Sequence, residues 1–124
     1  MEILVPISLG ELYDKISILV IKKEKIVDLK KLENIQKELN MLQDIAENYD
    51  IDGKFHTALY HTNLKLWDVE DNLRIREKLL LYDEEFVELA RSVYHLNDKR
   101  SNIKKEINLQ YGSNIVEEKS YEKY

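Results

Sequence analysis

Turn-forming residues are almost absent from this chain: its 124 residues include three glycines and one proline. Each stands at the edge of a segment with apolar periodicity. Pro6 precedes the first segment, Gly10 lies in its first turn, Gly53 opens the third and Gly112 closes the last. A sheet with repeated loops needs many more such residues, so the chain is expected to be all-α. The length suits one helical domain over residues 1–124, and 44% hydrophobic residues can supply its core.

Four helices can be placed. Ser8-Leu9-Gly10-Glu11 fits a capping box, in which the Ser8 hydroxyl and the Glu11 carboxylate each satisfy the other residue's backbone N–H. Ile7 and Leu12 hold the matching hydrophobic-staple positions. The first helix is predicted over 9–26, and its middle, Ile16 to Ile21, is apolar all round except at Ser17, so it should be largely buried. Asp28 caps a second helix over 29–49, with Leu32, Ile35, Leu39, Leu42, Ala46 and Tyr49 in one stripe. After a turn, Phe55, Leu59, Thr62, Leu66, Val69, Leu73, Arg76 and Leu80 mark a third helix over 54–81, about 42 Å long at 1.5 Å per residue. Asp83 caps a fourth over 84–111, with Glu84 and Glu85 in the first turn, where the helix dipole favours anions. Residues 113–124 lack helical periodicity and are read as a tail docked on the helices. The expected architecture is an antiparallel four-helix arrangement of two hairpins, with an extended N-terminal segment. The longer hairpin should project past the shorter one or need a partner, which makes a homodimer a natural reading.

Composition narrows the function classes. The 19 basic and 24 acidic residues leave a net charge of −5, which argues against binding nucleic acid or an anionic membrane. Without cysteine there is no disulfide framework, thiolate zinc site or cysteine nucleophile. The apolar run Ile3–Val5 is too short for a signal peptide, and no stretch approaches the roughly 20 apolar residues of a membrane span, so a cytoplasmic protein is expected. His56 and His61 are five apart rather than the four that place two zinc ligands on one helix face. Neither a glycine-rich phosphate loop nor a Gly-x-Ser-x-Gly elbow occurs.

The third helix carries a polar stripe beside its apolar one: His56, Tyr60, Asn63, Trp67, Glu70, Arg74 and Glu77. Antiparallel pairing about Tyr82 sets Trp67 opposite Asp98, Glu70 opposite Tyr94 or Asn97, Arg74 opposite Arg91, and Arg100 opposite core residue Leu66. All four arginines (Arg74, Arg76, Arg91 and Arg100) fall in this hairpin. Arginine suits a bidentate grip on carboxylate or phosphate in partly dry surroundings, and an unpaired buried charge costs several kcal/mol. Each guanidinium is therefore expected to point inward and to meet an internal carboxylate or a bound anion. Glu70–Arg74 also fits an ordinary i,i+4 pair.

Several strings identify the chain further. They are Ser8-Leu9-Gly10-Glu11-Leu12-Tyr13-Asp14-Lys15-Ile16-Ser17-Ile18-Leu19, Asn63-Leu64-Lys65-Leu66-Trp67-Asp68-Val69-Glu70-Asp71-Asn72-Leu73-Arg74, Leu89-Ala90-Arg91-Ser92-Val93-Tyr94, Asn97-Asp98-Lys99-Arg100 and Glu117-Glu118-Lys119-Ser120-Tyr121. With these the chain resembles, over nearly its whole length, a family of short all-helical bacterial and phage proteins catalogued as a domain of unknown function. The resemblance does not extend through Asn48 to Tyr60. It implies an all-helical fold and an association with cell-surface polysaccharide gene neighbourhoods, and it implies no activity, cofactor or catalytic residue. The tail is read as docked on the helices, with Glu117 or Glu118 available to an arginine.

Three functional readings follow. The first is a non-catalytic helical adaptor or scaffold that meets a protein partner or a second copy through its hairpin surface, without a cofactor. In the second, a small phosphorylated or carboxylated ligand, such as a nucleotide-sugar or sugar phosphate, sits at Trp67, Arg74, Arg91, Tyr94, Asn97 and Arg100. Glu70 or Asp98 would then be the acid–base group. The third is a magnesium-dependent all-α nucleotide pyrophosphatase using Asp68, Asp71, Glu85 and Glu88, whose i,i+3 spacing could hold the metal against a phosphate chain.

Overall fold

The computed structural model describes all 124 residues and contains four helices and no strand: α1 (Leu9–Lys25), α2 (Leu29–Ala46), α3 (Gly53–Lys78) and α4 (Glu84–Gln110). α1 is the hub. It packs against each of the other three helices, α3 and α4 pack on one another as a hairpin, and α2 touches α1 alone. The two expected hairpins are present, but the shorter one is attached through a single helix.

The buried residues of α1 explain its position, because at 100° per residue they fall on two faces. Leu12 and Leu19 lie on one, and Leu19 packs with Ile35 and Leu39 of α2. Gly10, Tyr13, Asp14, Ser17 and Ile21 lie on the other. There Tyr13 joins Phe55 and Leu59 of α3 and Ile103 and Ile107 of α4 in the main core.

Side-chain caps start every helix, as orphan N–H groups require. Asp28, Asp52 and Asp83 accept from the N–H of Lys31, Lys54 and Phe86, each at 2.9 Å. At α1 only half of the expected capping box forms. Ser8 Oγ accepts from Glu11 N–H at 3.1 Å, but the Glu11 carboxylate turns to Lys104 Nζ at 2.6 Å. The remaining donors are satisfied from the far end of the chain: Gly10 N–H bonds Asn108 Oδ1 at 2.7 Å, and Leu9 N–H bonds Ser113 Oγ at 3.2 Å. Gly112, with φ +65°, makes this possible. It holds the left-handed position after α4, and Ser113 N–H returns to Asn108 O at 2.8 Å.

α1 and α4 stop one residue before their predicted ends, and two helices stop three residues before theirs. α2 ends at Ala46 rather than Tyr49, because the Tyr13 hydroxyl donates to the Tyr49 carbonyl and lies 3.3 Å from that of Ala46, drawing the chain out of the helix. α3 ends at Lys78 rather than Leu81. Leu80 takes φ +55°, and Leu81 N–H bonds Arg76 O at 2.9 Å, a Schellman turn with leucine where glycine is usual. The left-handed leucine costs about 1–2 kcal/mol. Across the same turn Arg76 holds Asp83 at 2.9 Å and Glu85 at 2.5 Å, which offsets part of that cost.

The α3–α4 hairpin outreaches its support. Lys25, at the end of α1, stands level with Asp68, their charged atoms 3.9 Å apart. No residue between Leu66 and Ile103 is buried. The free part of α3, residues 69–78, amounts to about 15 Å of helix.

Gly10 marks the closest approach of α1 to α4. A Cβ there would lie 2.5 Å from the Lys104 carbonyl oxygen and 2.9 Å from its Cα, whereas one at Gly53 meets nothing within 4 Å. Backbone cannot swing aside as a side chain can. Gly10→Ala is therefore expected to destabilise the fold by about 1–3 kcal/mol in urea unfolding, while Gly53→Ala stays near neutral.

Candidate functional site

The polar centre of the molecule is Asp14, whose side chain is fully buried at 0% exposure. A carboxylate accepts hydrogen bonds and donates none, so buried donors must surround it. Arg100 of α4 supplies a bidentate pair, Nε to Oδ1 at 2.9 Å and Nη2 to Oδ2. Asn63 of α3 donates its Nδ2 to the same Oδ1 at 2.9 Å and to Ser17 Oγ at 2.7 Å. Ser17 Oγ in turn donates to the Asp14 carbonyl at 2.8 Å. The bond to Asp14 holds the Arg100 guanidinium above its ordinary pKa, against the opposing effect of burial.

Further contacts continue this pairing along the α1–α4 seam. Lys104 lies between Glu11 at 2.6 Å and Glu117 of the tail at 3.4 Å. Burial pulls the Lys104 ammonium down, but the bond to Glu11 and the charges of Glu11, Asp14 and Glu117 outweigh it and keep the group above its usual value. Next come Gly10–Asn108 and Leu9–Ser113. The interface between α1 and α4 is thus polar along one edge, where most helix–helix seams are apolar.

An open groove of about 590 Å³ lies above Asp14, between α1, α3 and α4. Ile18, Ile21, Leu66 and Asn63 line it together with Trp67, Glu70, Asp71, Arg74, Asn97 and Arg100. The expected seam residues Trp67, Glu70, Arg74, Asn97 and Arg100 are thus brought together.

The others are not. Arg74 does not face Arg91: it binds Glu70 at 2.6 Å, and Arg91 binds Glu88 at 3.1 Å in a second groove that includes Asp68, Asn72 and His95. Tyr94 and Asp98 line a third, under the tail, where the Tyr124 hydroxyl donates to Asp98 and its ring meets those of Tyr94 and His95 edge-on. That bond raises the Tyr124 pKa. Trp67 therefore shares its groove with Asn97 and Arg100, not with Asp98.

The inward-pointing expectation holds for two arginines of four. Arg76 and Arg100 are 19% and 28% exposed, but Arg74 and Arg91 stand 73% and 56% in solvent, because they occupy the outer flanks of the hairpin. All four pair with carboxylates of the chain. The tail carboxylates go to lysines instead of an arginine, Glu117 to Lys104 and Glu118 to Lys105.

The acidic residues offered for magnesium do not converge. Asp68 lies by Lys25 and Glu88 by Arg91 in the second groove, Asp71 lines the first, and Glu85 is held by Arg76 at the hairpin turn. No group of three or more His, Asp or Glu side chains is placed to hold a metal ion.

The model of a family of unknown function (DUF6165) matches residues 3–124. The chain belongs to this family. The matched span encloses Asn48–Tyr60, where the resemblance was expected to lapse. No curated protein and no solved structure matches the chain.

Sequence reasoning placed Arg100 at a core position but missed its partner Asp14 and the Asn63 and Ser17 side chains bonded around that carboxylate. One signal was present: Ser17 interrupts the most apolar stretch of α1, and Asp14 lies one turn before it on the same face.

Removing one member of a buried ion pair strands the other. Asp14→Leu or Arg100→Met alone should each cost about 3–5 kcal/mol in urea unfolding, whereas the double variant should cost well under the sum.

Proposed function

We propose that the protein is a non-catalytic helical adaptor or scaffold that acts through the free part of its α3–α4 hairpin. The observation that carries this reading is the tip of that hairpin. Ile75, Leu79, Leu80, Leu81, Tyr82 and Val87 gather there, each 45–71% exposed. Scattered exposed apolar residues are ordinary, but a contiguous set at the end of a projecting element suits contact with another protein. The half-buried seam of two unsupported helices supports the same reading, since helical hairpins obtain most of their stability from a further packing layer.

The pairing of all four arginines weakens the alternative of a phosphorylated or carboxylated ligand held at Trp67, Arg74, Arg91, Tyr94, Asn97 and Arg100, because each guanidinium charge is already compensated by a carboxylate of the chain. No helix is long and apolar enough to cross a membrane. A role beside cell-surface polysaccharide pathways is compatible with an adaptor and rests on the family resemblance alone.

The occupant we infer is a second copy of the chain. Two free hairpin ends packed antiparallel complete a four-helix bundle and cover both tips. Sedimentation equilibrium is expected to show a reversible dimer, and Leu79→Glu is expected to weaken it by tenfold or more, about 1.4 kcal/mol, with unchanged helical circular dichroism. A monomer at every concentration, identical for wild type and variant, would contradict the reading.

A further inference from the structure

The groove above Asp14 is independent of the hairpin tip, and its floor has a specific chemical character. Asn63 and Arg100 both hold the same oxygen, Asp14 Oδ1, each at 2.9 Å. The Asn63 amide must turn its NH₂ towards that carboxylate, so its Oδ1 faces the other way. Asn63 is 6% exposed and lines the groove, and its Oδ1 carries no hydrogen bond. Arg100 spends Nε and Nη2 on Asp14, its Nη1 makes no hydrogen bond, and the residue lines the groove. One acceptor and one donor without partners thus belong to the same groove, both side chains fixed by one buried carboxylate.

A hydroxyl group matches that pair, because it donates and accepts at once. A phosphate or carboxylate would suit Arg100 but would set its lone pairs against Asn63 Oδ1, and an ammonium would do the reverse. The surrounding charge points the same way. Asp14, Glu70 and Asp71 oppose Arg74 and Arg100, and Arg74 is already bound to Glu70 at 2.6 Å. The balance is one negative charge, which disfavours an anion. Trp67 adds a flat apolar wall against which the C–H face of a saturated ring can lie. The groove's 590 Å³ falls within the range of about 300–1,000 Å³ common for small-ligand sites.

We propose that this groove binds an uncharged, hydroxyl-rich ring, a pyranose in chemical class, with one hydroxyl shared between Asn63 Oδ1 and Arg100 Nη1 and the ring face against Trp67. A free monosaccharide and the end of a longer glycan share this chemistry.

Trp67 is the only tryptophan of the chain, so its emission reports on the groove directly. The full-length protein would be titrated with methyl glucopyranoside, methyl galactopyranoside, N-acetylglucosamine and their short oligosaccharides, and with inorganic phosphate in parallel. A saturating change with at least one neutral sugar and none with phosphate is expected, and an affinity that rises with chain length marks a glycan end. Trp67→Leu removes the proposed ring contact, lies outside the buried network and, read by calorimetry, should weaken binding about fivefold without loss of fold. Saturation with phosphate in place of the sugars, no saturating response to any sugar, or unchanged affinity in Trp67→Leu would each overturn the proposal.

Discussion

A carboxylate without access to water must be neutralised where it lies, and Asp14 imposes that condition on three helices together. It sits on α1, its cation comes from α4 and its amide donor from α3. Taking such a group out of water costs several kcal/mol, repaid only when geometry and hydrogen bonding are complete. Apolar packing of Tyr13, Phe55, Leu59, Ile103 and Ile107 would tolerate several helix registers. One bidentate pair with one amide tolerates far fewer. Once Arg100 meets Asp14, the helical repeat brings Lys104 to Glu11, and the two backbones close to a distance that only glycine at position 10 permits.

That geometry has a second consequence. α1 is shorter than the helices it packs against, so aligning it by its N-terminal half leaves the far end of the α3–α4 hairpin bare. The molecule thus presents two surfaces of different character. The groove over Asp14 combines apolar walls with a polar floor, whereas the hairpin tip sets exposed apolar side chains among charged ones. Neither surface shares residues with the other, so loss of one should leave the other intact.

Much of the fold was legible because it follows from local chemistry. Ser8, Asp28 and Asp83 cap where their types predict, and the apolar stripes locate all four helices. The ends of α2 and α3 were not legible. One depends on a tyrosine 33 or more residues earlier in the chain, the other on a leucine forced into a left-handed turn. The site was legible by halves. An arginine at an apolar position announces a buried partner, but residue 14 lies 86 positions from residue 100, and no spacing rule connects them. Mirror pairing about the α3–α4 turn placed residues along the hairpin but not around it. For that reason Arg74 and Arg91, expected face to face, stand in separate grooves.

The central claim is that Arg100 alone among the four arginines is locked to a fully buried carboxylate. Hydrogen exchange of the arginine Nε–H protons, followed by nitrogen-resolved NMR, tests it most directly. The account requires one strongly protected Nε–H signal, assigned to Arg100, that becomes unprotected in Asp14→Asn while those of Arg74, Arg76 and Arg91 keep their rates. Four signals exchanging alike in the wild-type protein would contradict it.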